Sequence, residues 1–239
     1  MPQEFAALFA RIDSLKEELD RRRPLTAGEV KRLQDEFLVE FTYSSNAIEG
    51  NTLTLRETAM VLEGITVEGK PLKDHLEAVG HRDASRYVQQ LVADKTPFSE
   101  RVVREIHSPE DKGVYRRIPV RIVGARHEPL QPYLVPLQME RLIAEFGEDR
   151  RCPIHSATLF HLKFEGVHPF VDGNRRIGRL ILNLALMRHG YPPINVKYAD
   201  RRRYYDCVDT YYRDDNAEPM IGLVAEYVEE RLKQYYRDL

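Results

Sequence analysis

Apolar residues return at helical spacing along most of this chain, and that periodicity restricts it to a helix-packed architecture more tightly than any other feature. Phe5, Leu8, Phe9, Ile12, Leu15 and Leu19 make one stripe. Thr26 with Glu29 reads as a capping box opening a second helix that carries Val30, Leu33, Phe37 and Phe41. Thr54 with Glu57 repeats the signature before a helix closed by Gly64, and Leu72, Leu76, Val79, Val88, Leu91 and Val92 mark a longer amphipathic helix. Further helices are expected over 136–146, 153–165, 176–189, 201–213 and 219–236. The exception is 114–135, where β-branched residues, partial alternation and a glycine-containing turn predict a short β-hairpin with a proline-rich second arm.

Size and charge narrow the class. At 239 residues and 42% apolar content, the chain can bury a substantial core. A formal charge of −2 gives no overall field for DNA or an acidic membrane, and the triplets Arg21, Arg22, Arg23 and Arg201, Arg202, Arg203 sit among acids, so no nucleic-acid or membrane partner is expected. Cys152 and Cys207 are far apart, which argues against a disulfide framework or zinc site. The start has no basic leader with an apolar run, and the apolar stretch near Leu180 is too short to span a bilayer, so the expectation is a cytoplasmic protein.

The chemistry concentrates in HPFVDGNRRIGR, residues 168–179. Pro169 disfavours helical geometry at His168, so a helix should end there and present the imidazole at a loop mouth. Gly173 and Asn174 turn the chain, and a new helix begins near Arg175 with its free N–H groups available to phosphate. Arg176 and Arg179, three apart, can project towards one anion. Asp172 can hold Mg²⁺, and a neutral His168 can take a proton from a hydroxyl. Singly, these are ordinary capping, turn and surface residues; together they fit nucleotide-dependent transfer to an alcohol.

At these residues the chain resembles the Fic (Fido) family, whose motif reads HPFx[D/E]GNGRxxR. His168, Pro169, Phe170, Asp172, Gly173, Asn174, Arg176 and Arg179 match, as do SSNAIEGNTL, LKDHLEAVGHRDA, GVYRRIPVRIVGARHEP and the later GYPP. The resemblance implies the mostly α Fic fold with a short hairpin flap. It divides the chain into an N-terminal helical region (1–97), a Fido domain (98–232) and a tail (233–239). It implies a protein adenylyltransferase that moves AMP from ATP to a Ser, Thr or Tyr hydroxyl of a target protein held at the flap, 114–135. His168 would then be the base, Asp172 the Mg²⁺ ligand, and Gly173, Asn174, Arg176 and Arg179 the phosphate cradle. Tyr204 and Tyr205 are candidates for the adenine pocket, with core packing an equal alternative.

The stretch Ser45-Asn46-Ala47-Ile48-Glu49-Gly50 matches the family's inhibitory motif [S/T]xxxE[G/N]. Ser45 and Glu49 lie one helical turn apart and share a face. The resemblance pairs Glu49 with Arg179 as a brake on ATP binding, and also allows Glu49 a part in removing AMP. Arg175 departs from the motif's glycine. A lysine stands there in the Doc branch, which transfers phosphate, so a kinase or a weakened nucleotide-binding module are the alternatives. HPF, Gly173, Arg179 and Glu49 follow the AMP-transferring pattern. The segment 106–116 is shorter than the family leads one to expect, and the sequence does not specify an oligomeric state.

Overall fold

The computed structural model describes residues 3–21, 26–107, 113–121 and 128–237. As the periodicity predicts, it is helical. The elements are α1 (Gln3–Arg21), α2 (Ala27–Ile48), α3 (Leu55–Leu62), α4 (Leu72–Ala93), α5 (Glu100–Glu105), α6 (Val135–Glu148), α7 (Pro153–Val167), α8 (Asn174–Arg188), α9 (Arg201–Asp214) and α10 (Glu218–Arg237). Both capping boxes form: Thr26 and Thr54 accept from the N3 backbone while Glu29 and Glu57 return the contact. The six-residue α5, capped by Ser99, is too short to register as a periodic pattern and was not expected.

α8 organises the fold. Every residue from 177 to 186 is buried, so the helix is enclosed on all sides, as its apolar sequence requires. One core cluster joins it to α1, α7, α9 and α10 through residues such as Ile12, Leu162, Leu182, Tyr204 and Val224. A second joins it to α2, α4, α5, α6 and α7 through Phe41, Val88, Val103, Met139, Phe164 and Ile181. Two cores clamping one helix fix the direction in which its N-terminus points. α1 packs along α10, and α10 runs through residue 232 to Arg237. No helix among the described residues is long and apolar enough to cross a membrane.

The hairpin expected over 114–135 is not seen. Residues 122–127, like 108–112 of the segment before the flap, lie outside the described residues, and the described parts of both arms contain no strand. Pro119, Pro129 and Pro132 supply no N–H to a ladder, and Pro132–Leu134 form a 3₁₀ turn. The carbonyls of Ile118 and Leu130 are taken by the Arg116 guanidinium.

Candidate functional site

Helix α7 ends at Val167, and His168 caps it in the left-handed conformation (φ 49°, ψ 61°), its N–H donating to the Phe164 carbonyl. A histidine before proline is an expensive residue to place there. Its Nδ1 lies 3.2 Å from the Glu165 carbonyl. A carbonyl can only accept, so Nδ1 carries a proton, and in the neutral imidazole this leaves the lone pair on Nε2, as a general base needs.

The turn to α8 is built from its own side chains. Asn174, fully buried, accepts from the Phe170 N–H and donates to the Phe170 carbonyl, both at 2.8 Å. Its amide therefore braces the loop, and only its backbone N–H faces the helix N-terminus. Gly173 adopts φ 77°, which a side chain would strain. Asp172, 77% exposed at the loop mouth, accepts from the Gly173 N–H at 2.7 Å and lies 3.8 Å from Arg176. A single carboxylate beside a phosphate cradle suits Mg²⁺, which keeps several waters and shares phosphate oxygens.

Three arginines project from the first turns of α8, and each meets the N-terminal region. Arg179 is buried, donating from Nη1 to Glu49 Oε1 at 2.9 Å, from Nε to Ser45 Oγ at 3.1 Å and from Nη2 to the Ser45 carbonyl at 2.7 Å. Burial is the largest influence and opposes its charge, but Glu49, with Tyr204 and Glu165 adding to it, outweighs that and raises its pKa above the ordinary arginine value. Arg175 donates to the other oxygen, Glu49 Oε2, at 3.3 Å. It also lies 4.8 Å above the Tyr205 ring and donates to the Tyr205 hydroxyl at 3.1 Å, and that hydroxyl donates to the Ile48 carbonyl. Arg176 turns instead to Glu77 of α4 (2.8 Å) and Asn46 (3.2 Å). The pair that shares one anion is thus Arg175 and Arg179, four apart, with Glu49 between them.

The two tyrosines separate. Tyr204 is core, 1% exposed, with its hydroxyl 2.8 Å from His161 Nε2, while Tyr205 is half-buried at the Arg175 contact. Beneath the loop lies a buried polar group that sequence reasoning missed. Burial pushes the Glu165 carboxyl up to about 8 against the opposing pull of Arg175 and Arg179, so it stays protonated at neutral pH. Gly178 leaves room for it: a Cβ there would stand 2.5 Å from Glu165 Oε1 and 3.0 Å from His161 Nδ1. Glu77 and Asn46 were also missed, although both lie in stretches that carry the family resemblance. Among the described residues no group of three His, Cys, Asp or Glu is placed to hold a metal by itself.

Three comparisons bear on this arrangement. The Fic/DOC family profile matches residues 97–186. Proteins named protein adenylyltransferase Fic from Culex quinquefasciatus (32% identical over 239 residues, 95% of this chain and 47% of the relative) and Nematostella vectensis (33% over 240 residues, 94% and 55%) are similar. The chain spans about half the length of these curated relatives. Among solved structures, Fic-1 from C. elegans superimposes with a TM-score of 0.86 at 27% identity, covering 99% of this chain and 73% of that one. A Fic-domain signaling protein from Bacteroides thetaiotaomicron gives 0.82 at 27%, covering 95% and 94%. With profile, relatives and fold in agreement, this chain carries a Fic/DOC family domain across residues 97–186.

Proposed function

We propose that this chain is a protein adenylyltransferase that transfers AMP from ATP to a Ser, Thr or Tyr hydroxyl of a target protein, and that Glu49 holds it back. The observation that carries the reading is the double grip of Arg179 and Arg175 on Glu49, at the helix N-terminus beside His168. Phosphate competes with Glu49 for the Arg179 guanidinium, and Arg175 strengthens Glu49's hold. The open N–H groups at the start of α8 donate to the triphosphate, with Arg179 and Arg176 neutralising its charge. His168 Nε2 takes the proton of the target hydroxyl. The hydroxyl oxygen forms a bond to the α-phosphorus, the bond to the β-phosphate bridge breaks, and pyrophosphate leaves. Mg²⁺ held by Asp172 would supply charge neutralisation at the phosphates. Tyr205 flanks the nucleotide site, and the segment 114–135 holds the target.

The side chain of Arg175 supports this direction over phosphate transfer, because it is committed to Glu49 and Tyr205, away from the turn that the motif glycine normally leaves open. The test is Glu49→Gly protein given ATP labelled at the α or the γ position, alone and with Arg175→Gly added. We expect protein-bound α-label, no γ-label, and a higher yield in the double variant. Transfer of γ-label alone would replace the reading with a kinase. Transfer only after Arg175→Gly would mean that Arg175 disables the natural chain.

A further inference from the structure

Arg116 is 3% exposed and meets no carboxylate among the described residues. A buried guanidinium without an acid must spend its five donors on neutral acceptors or lose several kcal/mol of hydration. All of its acceptors here are backbone carbonyls. Nε donates to His168 at 2.7 Å, Nη1 to Ile118 at 3.2 Å, and Nη2 to Leu130 at 2.5 Å and to Val167 at 3.4 Å. Its own N–H donates to the Pro169 carbonyl at 2.9 Å. One residue thus holds the consecutive carbonyls of His168 and Pro169, the end of α7, and both arms of the segment 114–135. The Tyr115 ring beside it packs 5.6 Å from Phe170 of the same loop.

His168 is one of three non-glycine residues at positive φ among the described residues, with Lys95 and Asp215. Of these, it alone stands in the loop between α7 and α8. A left-handed histidine is strained and persists where its surroundings over-determine it. The Arg116 contact to its carbonyl supplies that constraint, and the fork geometry that reaches four carbonyls is available to arginine and not to lysine.

We propose that Arg116 is a positioning residue: it sets the left-handed backbone of His168 and locks the target-holding segment to it, so that a hydroxyl presented along that segment meets an imidazole already in place. This rests on the reading of His168 as the base, and the experiment separates the two. Hydrogen exchange of the full chain is compared for wild type, Arg116→Lys and Arg116→Met. Faster exchange is expected together over 113–121, 128–134 and 166–173 in Arg116→Met, with 177–186 unchanged and Arg116→Lys intermediate. In the Glu49→Gly background, Arg116→Met should lower kcat for self-modification about a hundredfold, the scale of an ångström-sized misplacement. The KM for ATP should stay within about twofold, because the phosphate contacts lie elsewhere, and lysine should restore part of the rate. Where Arg116→Met does not fold, the lysine variant carries both readouts. Faster exchange in the flap arms without the 166–173 loop would overturn the coupling. Faster exchange in all three with the parent's full kcat would overturn the positioning role. A Glu49→Gly parent that transfers nothing, with the coupled exchange present, would sink the adenylyltransferase reading and leave the tie itself standing.

Discussion

Arg175 is the residue at which this chain leaves its family's motif, and its contacts give the substitution a physical role. A glycine there would leave Glu49 with Arg179 alone; the arginine takes the second carboxylate oxygen and ties the end of α2 to Tyr205 of α9. A part-buried contact of this kind is worth about 0.5–1 kcal/mol. Arg175→Gly with Glu49 intact should therefore tighten ATP binding by only about two- to fivefold, less than Glu49→Gly does, as read by calorimetry. An unchanged or weaker affinity would place Arg175 on the phosphates and not on the brake. None of this was legible in the sequence. The motif identified position 175 as exceptional, but its partners lie 126 and 30 residues away. The same limit hid Glu77, which takes Arg176 across from α4.

At the scale of elements, local signals were the readable ones. The capping boxes at Thr26 and Thr54, the break before Pro169 and the glycine turn at 173 each depend on residues within four positions, and the structure has all of them. The hairpin over 114–135 depended on pairing between its arms, and the prolines with Arg116 divert that pairing among the described residues. The approach of α7 to α8 was equally invisible, since Gly178 looks like an unfavourable helix residue until Glu165 and His161 are seen against it. Gly178→Ala adds a methyl group 2.5 Å from a buried carboxyl oxygen, and it should destabilise the chain by about 1–3 kcal/mol despite better helix propensity. Urea denaturation measures this, and a gain in stability would show that Glu165 can swing aside.

The whole molecule carries a pH signature from its buried ionisable groups. Burial holds His81 and His161 down to about 3 from 6.5, with Arg179 adding to it, so the folded chain refuses protons that the unfolded chain accepts, and stability falls as pH drops through that window. Glu165 acts oppositely: its carboxyl, raised from 4.5 to about 8 by burial, keeps a proton that the unfolded chain has lost, so its contribution falls as pH rises through that window. Between pH 4.5 and 6.5 the two histidines outweigh the one glutamate, and above 6.5 the glutamate acts without them. Thermal stability should therefore peak near pH 6.5 and decline by about 1–2 kcal/mol towards pH 8, and Glu165→Gln should flatten that decline. Parallel curves for wild type and Glu165→Gln above pH 6.5 would contradict the assignment.

Two cores aim α8 at the end of α2, where Glu49 meets Arg179 and Arg175, and in the proposed brake this contact withholds Arg179 from a nucleotide. Intact-mass measurement of the purified chain with Mg²⁺ and ATP, comparing wild type, Glu49→Gly and Glu49→Gly with His168→Ala, decides whether this brake exists. Loss of a charge-assisted contact worth about 1.5–3 kcal/mol corresponds to about ten- to a hundredfold faster gain of one adenylate in Glu49→Gly. The added His168→Ala should return the gain to background while ATP still binds. Equal adenylate gain in wild type and Glu49→Gly would rule out the brake, and undiminished gain without His168 would rule out His168 as the base.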